Sequence, residues 1–315
     1  MPLRPLVRSV LVLALAALAV AVPGAAVPHD PGQGLRSTGC GLAAPQEPGE
    51  TVRYTLVSGG VERGYLLHLP AGYGPGRAWP VLLAYHGRGG SGEGMAEYSG
   101  LTGLPAVVVL PDALIGEDDR SAWQGAPYSP PGVDDVAFTH ALLDTVESRL
   151  CVDRGRVYAA GMSNGGGFTA VLACAAPGRI AAIAPVAGAF YPHGLECDTS
   201  RAVPVVSFHG TDDGTIPYTG DPERRLPDLT GWHADRAAAN GCRRGPEAER
   251  LGPDVTALEW TGCAGGADVR HLIVAGGGHT WPGAAPSSGS GHTTDTVAAY
   301  RELWRFTARY RLPPG

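Results

Sequence analysis

Residues 157 to 170, VYAAGMSNGGGFTA, set Ser163 inside Gly161-Met162-Ser163-Asn164-Gly165, with a strand-forming run before it and a helix-permissive run after it. A chain that passes from strand to helix over so few residues must turn sharply. The small residues beside the serine permit that turn and leave its hydroxyl exposed above a sheet. This is the pattern of a nucleophile elbow, and it points the chain toward an α/β architecture. The first helical turn behind the serine aims free N–H groups at the same spot, which makes the Asn164 N–H a candidate donor to a developing oxyanion. Among 47 glycines the five-residue pattern also arises by chance, so the rest of the chain has to decide.

A serine hydroxyl attacks only when a neighbouring base takes its proton, and elbow-type chains supply an acid and then a histidine at the ends of later strands. The apolar run in AVPVVSFHGTDDG ends in Asp212 and Asp213, and VRHLIVAGGGHTWPG ends in three glycines and His279. The order serine, acid, histidine is met, and each separation has room for a helix and a strand, as a doubly wound sheet requires. A histidine directly after a glycine run at a strand end is poorly explained by packing, so His279 is the expected base. His86 and His209 precede their turns instead of occupying them, and neither follows the acid. His209 reads as a half-buried residue bonded to backbone near the acid loop. His86 introduces HGRGGSGEG, where glycines let the backbone approach a substrate; the Arg88 N–H is the expected second oxyanion donor, its guanidinium free in solvent.

The segments VDDVAFTHALLDTVESRLCVDRGRVYAAGMSNGGGFTAVLACAAPGRIAAIAPVAG, FHGTDDGTIPY and GGGHTWPG together closely resemble the secreted esterases grouped with polyhydroxybutyrate depolymerases and feruloyl esterases. The resemblance runs from roughly Val61 to Trp304. It implies an α/β-hydrolase fold, a mostly parallel doubly wound sheet flanked by helices, with no cofactor and no metal. It makes Ser163 the nucleophile, His279 the base and Asp213 the acid, because the family's aspartate lies two residues after the threonine matched by Thr211; Asp212 falls on a variable position. The polymer depolymerases of this group often carry Cys where this chain has Arg88, so the oxyanion loop is not a close copy of theirs. The implied partner is an ester, small or oligomeric. Feruloyl or acetyl esters on plant polysaccharide come first, since no segment reads as a second domain for gripping a solid polymer, and 3-hydroxybutyrate polymers or oligomers come next. A non-catalytic binding domain on the same fold would lack one of the three residues, and all are present.

Arg4 and Arg8, the apolar run VLVLALAALAVAV and the small-residue stretch PGAAVP read as a signal peptide over 1–26, the apolar run of about 13 residues being too short to span a bilayer comfortably. The chain is therefore expected outside the cell. Residues 27–50 should be an irregular leader, and 51–315 a single catalytic domain. In that compartment six cysteines read as three disulfides, there being no C-x-x-C or paired-histidine spacing for a metal. Cys242 and Cys263 flank one excursion, and the resembling esterases carry the same NGC and a later Cys, so these two are expected to pair. Cys174 is expected to join Cys197, and Cys40 to join Cys151. A net charge of −6 argues against nucleic acid and anionic membrane as partners. The pairs Asp118-Asp119 and Asp134-Asp135 lack the alternating spacing of a calcium loop. Asp134 or Asp135 should instead cap a helix whose Val136, Thr139, Leu143, Val146 and Leu150 form one stripe. Trp123 and Trp281 are the candidate pocket residues: Trp281 either walls the site or packs the loop that holds the base, and Trp123 offers a flat face to an aromatic acyl group or a sugar ring. The loops 111–135 and 214–231 are expected to rise over the strand ends and shape the pocket.

Overall fold

The computed structural model describes Met1 and residues 35–284 and 288–313. Apart from Met1, the expected signal peptide lies outside the described residues, as does the first part of the leader. Residues 35–50 contribute no helix of α type and no strand, and Cys40 ties them to Cys151. Cys174–Cys197 and Cys242–Cys263 are the other two disulfides.

Ten strands form one sheet. In chain order they are β1 Thr51–Ser58, β2 Val61–His68, β3 Trp79–Tyr85, β4 Val107–Pro111, β5 Val152–Met162, β6 Ala182–Val186, β7 Val205–Gly210, β8 Arg244–Arg250, β9 Val255–Thr261 and β10 Val269–Val274. Their spatial order is β1-β2-β4-β3-β5-β6-β7-β10-β9-β8. The six strands from β4 to β10 pair in parallel, and the antiparallel pairs β1–β2 and β8–β9 close the two edges. Alternation along each central strand splits the core in two. In β3, Val81, Leu83 and Tyr85 point to one face while Leu82 and Ala84 point to the other. Both faces are covered, which is why these strands read as continuous apolar runs.

The first face is covered by α2 Asp135–Arg149, α3 Asn164–Ala175 and α4 Leu229–Ala239, and the second by α1 Gly92–Ser99 and α5 Ala299–Thr307. Asp134 caps α2, its Oδ1 accepting from the Ala137 N–H at 2.8 Å. Asp135 does something else: it is fully buried and paired to the Arg63 guanidinium at 2.8 Å. The buried face of α2 is Phe138, Thr139, Leu142, Leu143 and Val146, one stripe wider than the expected residues, with Val136 only partly covered.

Because β3, β5, β7 and β10 run parallel, their carboxyl ends meet on one side of the sheet. The segments that leave those ends carry His86, Ser163, Asp213 and His279.

Candidate active site

Ser163 sits between β5 and α3 with φ 56° and ψ −119°, a left-handed backbone that costs an L-residue about 1–3 kcal/mol. The neighbourhood over-determines it. The Ser163 N–H donates to Val186 O at 2.9 Å, and its carbonyl accepts from both Gly167 and Ala189. A Cβ on Gly161 would run into the carbonyl of Gly165, and one on Gly165 into the carbonyl of Tyr85, so both positions need glycine for close approach.

His279 follows β10, and its Nδ1 donates to Asp213 Oδ2 at 2.7 Å. That bond fixes the neutral tautomer and leaves Nε2 as the proton acceptor. The Asp213 carboxylate is buried beneath. Its Oδ1 accepts from the Thr215 and Ile216 N–H groups, each at 2.8 Å, and its Oδ2 has a second contact, His209 Nε2 at 3.1 Å. Burial alone would push this carboxyl up. The donors from His209, His279 and Ile216 outweigh burial and hold it well below the usual carboxylate range. Asp212 is exposed and, among the described residues, bonds only its neighbour Thr211 and, through its N–H, Gly277 O.

The oxyanion side is built from the loop after β3. His86 is buried in one tautomer, Nδ1 donating to Gly87 O at 2.7 Å and Nε2 accepting from the Ala113 N–H at 3.1 Å, and burial lowers its pKa. It holds the loop and is not a base. A Cβ on Gly87 would lie 3.3 Å from Ser163 Cβ, which shows how closely this loop passes the nucleophile. Among the described residues the Arg88 N–H has no hydrogen-bond partner, and the Asn164 N–H opens α3, where a helix leaves such groups unpaired. The Arg88 guanidinium is not simply solvated: it pairs with Asp118 at 2.9 Å and lies 4.1 Å over the Tyr128 ring.

Two expectations need correction. Trp123 and Trp281 are fully buried and present no face to a substrate. Trp123 stacks on Phe168 and meets Tyr85 edge-on, with its Nε1 bonded to His86 O at 3.0 Å. Its backbone is gripped by the Asn164 side chain, whose Oδ1 accepts the Trp123 N–H at 2.7 Å while Nδ2 donates to Trp123 O at 3.2 Å. Trp281 packs the base loop, its Nε1 donating to Ser99 O at 3.1 Å. His209 is also more buried than expected, at 3% exposure, and touches the acid itself as well as the backbone of Ile216.

Ser163 and His279 line one cleft of about 410 Å³ with Arg88, Tyr98, Tyr128 and Ile216. Arg120 and Thr215 bring in the two long loops after β4 and β7, which wall the cleft over the strand ends. Such a volume suits a small acyl group, with aromatic and aliphatic walls around one reacting serine.

No family model matches this chain. Individual proteins do. It is 32% identical over 260 residues to NocK of Nocardia uniformis subsp. tsuyamanensis, which carries an esterase assignment; the match covers 74% of each chain. It is 29% identical over 294 residues to feruloyl esterase D of Neurospora crassa, covering 87% of this chain and 90% of that one. Against feruloyl esterase B of Piromyces equi the identity is 30% over 231 residues, and the chain spans 42% of that protein's length. Among solved structures, acetyl xylan esterase from Aspergillus awamori superposes with a TM-score of 0.56 at 14% identity, over 82% of this chain and 99% of that one. A ferulic acid esterase from Anaeromyces mucronatus does so with a TM-score of 0.54 at 13% identity, over 86% of this chain and 94% of that one. At those identities the superpositions speak for the fold.

Proposed function

This chain belongs to the α/β-hydrolase esterases that include the feruloyl esterases and is a serine carboxylic-ester hydrolase; on that premise we propose that it acts outside the cell on feruloyl or acetyl esters of plant polysaccharide, through an acyl-enzyme on Ser163. The observation that carries the assignment of roles is the 2.7 Å bond from His279 Nδ1 to Asp213, made by a histidine that shares its cleft with Ser163. As Ser163 Oγ attacks the ester carbonyl, His279 Nε2 takes its proton. Asp213 keeps the imidazole in the required tautomer and stabilises the imidazolium. The N–H groups of Asn164 and Arg88 receive the oxyanion as it forms. The imidazolium then protonates the leaving alcohol, and a water activated by the same histidine releases the acid.

The substrate class rests on the relatives named feruloyl esterase and on the tyrosine-walled cleft, whose Tyr98 and Tyr128 would flank a hydroxycinnamoyl ring. Export is supported by the N-terminal sequence pattern and the three disulfides. The test is kcat/KM for methyl ferulate, acetylated xylan, short p-nitrophenyl acyl esters and hydroxybutyrate oligomers. Highest values for the feruloyl or acetyl substrates support the reading, and a clear preference for hydroxybutyrate oligomers overturns it.

A further inference from the structure

A second cleft, of about 490 Å³, runs along α3 from Gly167 to Cys174, and we propose that it binds a ring bearing a carboxylate, in the first place a uronosyl unit of the polysaccharide that carries the ester. The proposal rests on the reading above for the identity of the polymer. Its physical basis is the cleft's own lining.

Phe190 and Trp232 form one wall, stacked with centroids 3.7 Å apart and planes within 10°. Flat apolar walls of this kind pack against the C–H face of a sugar or the plane of an aromatic ring. The polar lining is positive. Arg225 and Arg236 supply that charge, beside a His193 that burial and Arg236 favour as the neutral imidazole, and none of the lining residues is acidic, in a chain whose net charge is −6. Arg236 has no ion pair and no side-chain hydrogen bond among the described residues; the Trp232 ring lies 5.9 Å away, and the neighbouring Asp235 acts on it only through its field. Burial lowers the Arg236 pKa more than the field of Asp235 restores it, so a carboxylate bonded there would stabilise a partly desolvated cation. Arg225 is exposed and likewise has no described side-chain partner. Two guanidinium groups beside an apolar wall suit a carboxylate, which each can hold by paired N–H bonds, on a ring that the wall can cover. His193 lies near the Cys174 and Cys197 sulfurs, but these are bonded to each other and unavailable to a metal.

The placement ties this cleft to catalysis. Arg224 lines the catalytic cleft while its neighbour Arg225 lines the second. Tyr191, which also lines the second, accepts a hydrogen bond from Arg224 at 3.4 Å. Arg224 and Tyr191 therefore form a border that the two clefts share. A chain draped over it would set its ester at Ser163 and an acidic ring beyond.

The test measures binding to the Ser163→Ala protein, where nothing turns over, so its failure is separable from a failure of the esterase reading. The probes are a xylo-oligosaccharide with a glucuronosyl branch, the same oligosaccharide without it, and ferulate, followed by calorimetry and Trp fluorescence. The expected result is binding of the acidic oligosaccharide at least about tenfold tighter than the neutral one, with about a tenfold loss in Arg236→Gln. Arg225→Gln, an exposed change that leaves the core intact, should lose about fivefold or more and leave kcat on p-nitrophenyl acetate unchanged. Ferulate binding with the same arginine dependence would uphold carboxylate recognition and name the released acid as its source. Equal affinity for the acidic and neutral oligosaccharides, binding unchanged in both arginine variants, or no binding of any probe would overturn the proposal.

Discussion

His209 Nε2 lies 3.1 Å from Asp213 Oδ2, the oxygen that also receives His279 Nδ1 at 2.7 Å. One carboxylate oxygen thus serves two imidazoles, one buried and fixed, the other facing the cleft. The His209 N–H is shared with Ile216 O at 2.8 Å, so it also ties the acid loop to itself. Replacing it with Asn removes a donor from a buried charge, a contact worth about 1.5–3 kcal/mol, and kcat should fall about tenfold or more. Unchanged kcat in steady-state kinetics on p-nitrophenyl acetate would reduce His209 to packing.

The two aspartates of the acid loop should separate cleanly. Asp213→Asn forces the wrong tautomer on His279 and should lower kcat by about 10⁴-fold, whereas Asp212→Asn alters an exposed side chain and should stay within about twofold. Steady-state kinetics on p-nitrophenyl acetate decides. Equal, small losses at both positions would place the carboxylate elsewhere.

Asn164 has two jobs that a substitution can part. Its backbone N–H belongs to the oxyanion site, and its side chain holds the Trp123 backbone through two bonds. Asn164→Ala keeps the N–H but leaves the buried Trp123 N–H unpaired, at about 1–3 kcal/mol, while the Trp123 carbonyl keeps its bond from Ser129 Oγ at 2.6 Å. Urea denaturation should show that loss, with Ser163 still reactive toward small esters well below the denaturation midpoint. A variant of unchanged stability would contradict the clamp.

Acid sensitivity should come from a second histidine group under the acid strand. Tyr218 OH donates to His271 Nε2 at 3.2 Å, His271 Nδ1 to Ser207 Oγ at 2.8 Å, Ser207 Oγ to His233 Nε2 at 2.5 Å, and His233 Nδ1 to Leu229 O at 2.6 Å. Every site in this series is filled when both imidazoles are neutral, and an added proton would set donor against donor. Burial pushes His233 down to about 3 and His271 well below its ordinary value of 6.5. The folded pKa values lie below the unfolded ones, so only the unfolded chain takes up these protons as pH falls from about 6.5. Stability is therefore full above about pH 6.5 and declines below it. Between pH 7 and pH 5 the linkage amounts to about 2 kcal/mol for His233, and His271 adds to it in the same direction, readable as a lower urea midpoint. A midpoint that does not move over that interval would contradict the neutral network.

The catalytic strands were legible because their signals are local. The elbow around Ser163, the acid after β7 and the histidine after a glycine run each lie within a dozen residues of the strand that presents them. What escaped is set by partners distant in sequence. Trp123 sits in a Gly- and Pro-rich loop whose composition suggests exposure, yet Asn164 and Phe168 bury it. The buried Arg63–Asp135 pair joins residues on β2 and α2 and leaves no pattern in either segment. The β8–β9 hairpin was read as a single excursion because β8 is exposed along its whole length and carries no hydrophobic alternation. The second cleft gathers lining from α3, from the Phe190–Cys197 segment and from the stretch between Arg225 and Arg236, so no one window contains it.

The central claim is that Ser163 is the atom-bearing nucleophile of an esterase, and covalent labelling tests it most directly. The purified protein is treated with one equivalent of a fluorophosphonate, digested and mapped by mass spectrometry while hydrolysis of p-nitrophenyl acetate is followed. The account predicts that activity disappears in step with modification of the peptide containing Ser163, and that Ser163→Ala is neither labelled nor active beyond about 10⁻⁴ of the parent kcat. Label on another residue together with loss of activity, or an active Ser163→Ala protein, would contradict it.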